Sequence, residues 1–258
     1  LCFNCASSTS IGTFTAICTK VFIMLLSVVI STYNRSDVLR QNLDCFKKQT
    51  DMNFEIVVGI DGSTDDTVEM LKSYNCSFNI RWIDTQETEK YCLAKVRNMA
   101  IVETVGQAVV ILDDDSFPVP GFIAAHKSSA QQGVITGGYR NSHDPKDSLH
   151  PKMKRTLLKY GINKLNPITE RIVENNACMM RSDLIGCGMF SERFEGYGGC
   201  GQEFIWRLAY QGYQYKFNPE AMIYHHREFE GDNGLTRDMK DQQAQEMSKM
   251  IYKHCGNF

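Results

Sequence analysis

Three apolar runs that each stop abruptly at polar residues constrain this chain more than any other feature. Leu25-Leu26-Ser27-Val28-Val29-Ile30 runs into Ser31-Thr32-Tyr33-Asn34-Arg35. Phe54–Ile60 runs into Asp61-Gly62-Ser63-Thr64-Asp65, and Ala108–Leu112 into Asp113-Asp114-Asp115. Short runs rich in Val and Ile, without polar alternation, are strands covered on both faces, the situation of a parallel sheet. Helical spacing lies between them: Val38, Leu39, Leu43 and Phe46 share one face of Asp37–Gln49, and Ser36 or Asp37 can cap that helix. Strands alternating with helices predict an α/β fold with a mostly parallel sheet flanked by helices.

The same reading places strands at Met24–Ser31, Phe54–Ile60, Asn79–Asp84, Ala108–Leu112 and Val134–Gly138, and short ones at Tyr213–Phe217 and Met222–Tyr224. Helices are expected at Asp37–Gln49, Asp66–Tyr74, Cys92–Val105, Phe122–Gln131, Gln202–Tyr210 and, at the end, Thr236–Lys253. Tyr139 to Glu170 is polar, basic and punctuated by Pro145, Pro151 and Pro167, the composition of a long substrate loop. Order is expected to return at Arg171–Met180. A length of 258 residues, 43% of them apolar, suits one domain.

A formal net charge of -2 gives no sign of a nucleic-acid partner. The basic stretch Lys146–Lys164 suits a solvated loop, and any membrane contact made through it is peripheral. The ten cysteines are scattered, several in segments that read as buried (Cys45, Cys92, Cys178), where a free thiol behaves as a small hydrophobe. Cys2 and Cys5 form a CxxC with no second pair nearby to complete a zinc site. A reducing compartment follows, cytoplasmic or at the inner face of the membrane.

Ile11 to Ile30 is long and apolar enough to span a bilayer, although Lys20 interrupts it, and its second half is also the first strand. One segment cannot serve as both. Met24 stands directly before that strand, so residues 1–23 are expected to be a leader or upstream segment outside the fold.

Three adjacent carboxylates repel one another, and a chain gathers them only for a return. A hard divalent cation supplies one, because it takes oxygen ligands and bridges to phosphates. Asp113–Asp115 follow the C-terminal end of a strand, where open α/β sheets bind ligands. The loops after the strands ending at Ile30 and Ile60 stand in the same position, and together they form a crevice able to hold a nucleoside.

Ser27–Arg35, Asp61–Asp65, Arg97-Asn98 and Asp113–Asp115, in this order and spacing, resemble the family 2 glycosyltransferases of the GT-A fold. Phe194-Glu195-Gly196-Tyr197-Gly198-Gly199, Arg207-Leu208 and Ala221–His225 resemble the C-terminal part of galactosyltransferase-like and chondroitin-polymerase-like enzymes. The resemblance implies a single GT-A (Rossmann-like) domain over 24–258, with a nucleotide-binding half, 24–115, and an acceptor half, 116–258. It assigns Thr32, Tyr33, Asn34, Arg35, Asp61, Arg97, Asp113 and Asp114 to a nucleotide-sugar donor, a UDP-sugar, with Asp61 accepting from the uracil. It assigns Asp113, Asp115 and His225 to Mn²⁺ or Mg²⁺. The implied activity is inverting transfer to a hydroxyl of a saccharide or glycolipid acceptor, in polysaccharide or glycoconjugate synthesis.

One departure bears on the chemistry. The family usually reads Gly-Gly-Glu-Asp where this chain has Gly198-Gly199-Cys200-Gly201, so the acidic pair is absent. An inverting transfer needs a base for the acceptor's proton. Glu203 is the nearest carboxylate and can serve if its helix starts late, so that Gln202-Glu203 stands where Glu-Asp normally does. Two other readings stay open: a sugar nucleotidyltransferase, although the loop Ser31–Arg35 lacks glycine, and a catalytically degenerate sugar-nucleotide binder.

Overall fold

The computed structural model describes residues 24–140, 172–194, 199–225 and position 249. Residues 1–23, the basic stretch 146–164, residues 195–198 of the glycine-rich motif and the expected helix 236–253 (position 249 apart) lie outside them.

Among the described residues nine strands form, in chain order, β1 (Leu26–Thr32), β2 (Phe54–Ile60), β3 (Asn79–Asp84), β4 (Ala108–Asp113), β5 (Ser116–Pro118), β6 (Val134–Gly137), β7 (Ala177–Met180), β8 (Gln214–Phe217) and β9 (Ile223–His225). The helices are α1 (Ser36–Phe46), α2 (Thr67–Ser73), α3 (Leu93–Glu103), α4 (Phe122–Ser129), α5 (Arg181–Gly186) and α6 (Cys200–Tyr210). Seven strands make one sheet in the order β3-β2-β1-β4-β7-β6-β8. β3, β2, β1 and β4 run parallel, β7 is antiparallel to both its neighbours, and β8 is parallel to β6. The mostly parallel, helix-flanked sheet expected from the sequence is what forms.

The central strands β1, β2 and β4 are buried on both faces, which is why they read as unbroken apolar runs. Val28 and Ile30 of β1 pack with Leu39, Leu43 and Phe46 of α1 on one face. Val29 packs with Ala100 and Ile101 of α3 on the other. Each such side chain contributes about 1.5–3 kcal/mol through the apolar area it removes from water. After β3 the chain crosses back to lay β4 on the far side of β1, so the strand order reverses between β1 and β4. The loops leaving these two strands diverge there and leave a crevice at their C-terminal ends.

Several expectations shift. α1 stops at Phe46, not Gln49, because the Gln49 side chain leaves the helix to bond Val119 O at 2.8 Å and the Ile123 N–H at 3.1 Å. Neither Ser36 nor Asp37 caps α1 with its side chain. Asp65, from the loop after β2, does so from outside, accepting the Ser36 N–H at 3.0 Å. β5 was not expected; it pairs antiparallel with β9 in a separate two-stranded ribbon that sets Ser116 opposite His225. α6 begins at Cys200 instead of Gln202, because Gly199 (φ 86°) turns the chain directly into it.

Among the described residues Cys45, Cys76, Cys178, Cys187 and Cys200 are free thiols. No helix among those residues is long and apolar enough to cross a membrane.

His126 of α4 is fully buried, with Nε2 2.8 Å from Asn176 Oδ1. Asn176 in turn donates to Ala221 O at 2.8 Å and so ties α4 to the segment that leads into β9. Burial pushes the imidazole down to about 4. The unfolded chain takes up that proton near pH 6.5 and the folded chain only near 4, so His126 lowers stability as pH falls through this window and has no effect above it. The total is on the order of 3 kcal/mol. Between pH 7.5 and 4.5, urea unfolding should show His126→Gln gaining stability of that order relative to the parent, because the buried carboxyls of Asp114 and Asp115 shift both proteins alike. Equal pH dependence in both proteins would refute the assignment.

Candidate donor and metal site

β1 and β4 lie in register with Ser31 beside Asp113, so the loop after β1 faces the three aspartates directly. Each carboxylate has its own partners. Arg97 Nη2 donates to Asp113 Oδ1 at 2.5 Å, Thr32 Oγ1 to Asp114 Oδ2 at 2.7 Å, and Arg35 Nη1 to both Asp114 Oδ1 (3.1 Å) and Asp115 Oδ2 (3.2 Å). The Asp113 N–H bonds Asn175 Oδ1 at 3.2 Å, and Asn175 also bonds Ser116, which fixes the turn from behind.

These partners divide the three acids. Burial would raise Asp113, but Arg97 and then Arg140 outweigh it and hold the carboxyl below its ordinary value. Burial pushes Asp114 up to about 6 against the pull of Arg35 and Thr32. Asp115 is pushed up to about 7, first by burial and then by the charges of Asp113 and Asp114. Asp115 is thus the least compensated of the three. Its Oδ1 is buried and accepts no hydrogen bond. His225 Nε2, delivered by the β5–β9 ribbon, stands 3.4 Å from that oxygen.

A buried carboxylate oxygen without a donor, facing an imidazole nitrogen, fits a divalent cation between or beside them. Asp113 is engaged by Arg97, and no group of three or more ligating side chains is assembled for a metal among the described residues. The pair Asp115–His225 is what the fold brings together, and His226 lies outside the described residues.

The loop after β2 closes the other side of the crevice. Asp61 is buried; its Oδ2 accepts the Cys92 N–H at 2.8 Å, and Thr85 Oγ1 lies 3.4 Å from Oδ1. Burial raises its pKa. Gly62 (φ +67°) follows, and a Cβ there would stand 1.9 Å from Glu87 O, so only glycine fits the turn. Asn34 binds the two loops together: its Oδ1 accepts the N–H groups of Thr64 (2.6 Å) and Asp65 (3.3 Å), and its own N–H reaches Ser63 Oγ at 3.0 Å. Tyr33, 39% exposed, stands at the mouth.

Two residues take positions that the sequence did not indicate. Arg97 has a side-chain exposure of 1% and stands behind Asp113, with its guanidinium also 5.1 Å from the Phe190 ring. Its neighbour Asn98 fastens the loop before the glycine-rich motif, donating to Phe190 O (2.9 Å) and Glu192 Oε1 (2.8 Å). Glu203 has no exposed side-chain surface, and its Oε1 accepts from Arg207 Nε at 2.6 Å. Arg207 also donates to Cys187 O and Met189 O. The late helix start that would have swung Glu203 outward does not occur, and here its carboxylate is held inside the fold.

Sequence reasoning passed over Tyr91, Arg140 and Asn175. Tyr91 lies within electrostatic reach of Arg97, Asp113 and Asp61, and burial raises its hydroxyl. Arg140 adds positive charge near Asp113 and Asp115. The Asn175-Asn176 pair, with Asn176 at φ 84°, carried the one usable signal, since Asn is among the few residues that adopt such a turn.

A profile of the glycosyl transferase family 2 matches residues 27–187, a stretch that holds the strands of the seven-stranded sheet apart from β8 and the first residue of β1, both loops and all three aspartates. The chain belongs to glycosyl transferase family 2. Its fold is the GT-A fold of that family. Chondroitin synthase of Escherichia coli is 25% identical over 270 residues, covering 88% of this chain and 39% of the relative. Crystal structures with the same fold include S. aureus TarS in complex with UDP-GlcNAc (TM-score 0.62, 17% identity, 89% of this chain and 66% of that one). GalNAc-T7 with UDP, GalNAc and Mn²⁺ superposes with a TM-score of 0.63 at 17% identity, over 89% of this chain and 48% of that one. The family 2 chain thus spans less than half the length of the E. coli relative.

Proposed function

We propose that this chain is a metal-dependent, inverting glycosyltransferase that moves a sugar from a UDP-sugar to a hydroxyl of a saccharide or glycolipid acceptor in the cytoplasm. The observation that carries this reading is the buried Asp115 Oδ1, which accepts no hydrogen bond and faces His225 Nε2 beside the crevice at the β1/β4 switch point. The structures holding UDP-GlcNAc, and UDP with Mn²⁺, on the same fold support a nucleotide donor there.

In this reading residues 24–115 hold the donor and the later part receives the acceptor. The uracil lies between Tyr33 and the loop around Asp61, and Asn34 keeps those two loops at a fixed separation. Asp115 and His225 hold Mn²⁺ or Mg²⁺, with Asp113 turned toward the ribose side by Arg97. The bound ion supplies positive charge next to the leaving diphosphate. Arg35 orients Asp114 and Asp115, and Arg140 adds a positive field where negative charge develops.

Isothermal titration of UDP with Mn²⁺ and with chelator tests this. Mn²⁺ should strengthen binding by about tenfold or more, roughly 1.4 kcal/mol, and Asp115→Ala should remove most of the gain. Equal affinity under both conditions would end the metal assignment. A binder without transfer is the second reading, favoured by Cys200-Gly201 in place of an acidic pair. Release of UDP from a UDP-sugar separates the two, because a pure binder releases none.

A further inference from the structure

We propose that Glu174 is the general base of this site, taking the place of the acid that position 201 lacks. The inference rests on the transferase reading above and follows from one close approach. A Cβ built on Gly201 would stand 2.0 Å from Glu174 Cδ, 2.1 Å from its Oε1 and 2.5 Å from its Cγ. No side chain at 201 can coexist with Glu174 as it stands. The Glu174 carboxylate fills the volume that the side chain of an acidic residue at 201 would enter.

The approach accounts for a glycine at this place. Gly201 is the second residue of α6 and is buried, with no side chain of its own to fill the site. Gly121, Gly133 and Gly212 have open space where a Cβ would stand, but Gly201 does not. The helix has given up a side chain at that point, and a carboxylate from another element stands in the gap.

The backbone at Glu174 is held in place and its side chain is still reachable. Its carbonyl accepts the Ala177 N–H at 3.0 Å, at the start of β7, and the next residue, Asn175, bonds the Asp113 N–H. The side chain therefore hangs from the same turn that positions the aspartates. Its charge acts on Arg97 and Cys200, which puts it on the Asp113 side of the site. The residue is half-buried, whereas Glu203 has no exposed side-chain surface and spends its carboxylate on Arg207. A base must meet an acceptor from solvent, and of these two carboxylates only Glu174 can.

The step balances without another reactant. The acceptor hydroxyl gives its proton to the Glu174 carboxylate while its oxygen forms the bond to the anomeric carbon. The bond from that carbon to the diphosphate oxygen breaks, and its electron pair leaves with UDP.

The test measures UDP release from UDP-glucose, UDP-galactose and UDP-GlcNAc with Mn²⁺ and water as acceptor, using the donor on which the parent chain is fastest. Glu174→Gln should lower turnover by about 10²-fold or more and leave UDP affinity within about twofold. Glu174→Ala should be equally slow, and formate should partly restore its rate, a rescue that a merely structural loss would not show. Glu174→Ala combined with Gly201→Asp, which returns the acid to the helix, should regain at least about tenfold over Glu174→Ala alone. Turnover of Glu174→Gln within about threefold of the parent, with UDP still bound, would overturn the assignment of Glu174 and leave the transferase reading standing. A parent chain that releases no UDP from any of these donors, whether or not it binds UDP, would overturn that reading, and this assignment with it.

Discussion

Arg97→Met is expected to lower the stability of the fold by about 3 kcal/mol and to weaken UDP binding in Mn²⁺ by at least about tenfold. Arg97 is almost fully buried and has Asp113 as its charged partner, at 2.5 Å. Removing one member of a buried pair leaves the other charge uncompensated, which costs more than the pair's own net contribution. Asp113 keeps 30% side-chain exposure, so the loss falls at the lower end of the range for buried pairs. Binding should suffer because, without Arg97, the Asp113 carboxylate is no longer held in place and its charge, which already disfavours ionisation of Asp115, goes uncompensated. Adding Asp113→Leu should recover most of the stability, since an apolar replacement of both charges is close to neutral, and should recover none of the binding. Urea denaturation and titration calorimetry read the two effects separately. A single variant with parental stability and UDP affinity would show that Arg97 neither holds Asp113 nor matters to the donor.

The parts of this molecule that were legible in sequence are those whose cause is local. β1, β2 and β4 announce themselves because burial on both faces demands unbroken apolar runs, and the aspartates announce themselves because three adjacent acids have no structural use. Parallel pairing follows from the alternation of strands and helices, whereas the switch point between β1 and β4 is a matter of strand order that alternation does not decide. What was not legible depends on partners far away in the chain. β5 has three residues, too few for a pattern, and forms only because β9 arrives beside it from more than a hundred positions further on. The placing of His225 next to Asp115 is a product of that pairing. Asp65 looks like an ordinary turn residue and is the outside cap of α1, a role its own segment cannot reveal. The start of α6 is decided by the positive φ of Gly199, and two residues of helix changed what Glu203 could be. Glu174 belongs to the same class: nothing around it in sequence distinguishes it, and only the gap at Gly201, contributed by a different element, does.

Glu203→Gln is expected to lower stability by about 2–3 kcal/mol, or the melting temperature by roughly 5–10 °C, while the folded protein releases UDP at close to the parental rate. The reason lies in what its carboxylate holds. Glu203 and Arg207 stand one helical turn apart in α6, and Arg207 spreads its remaining donors over the carbonyls of Cys187 and Met189. The pair therefore clamps α6 to the segment after α5, which Asn98 grips from the α3 side through Phe190. Glutamine keeps the shape and one acceptor but loses the charge, so Arg207 is left half-compensated at the edge of the core. Glu203→Leu combined with Arg207→Met should be more stable than Glu203→Gln, because it removes both charges and keeps the volume. A general base behaves in the opposite way: its amide variant keeps its stability and loses turnover by orders of magnitude. Calorimetric melting set beside single-turnover UDP release thus divides the two roles. A stable Glu203→Gln protein with turnover reduced about 10²-fold would return the base to α6 and remove it from Glu174.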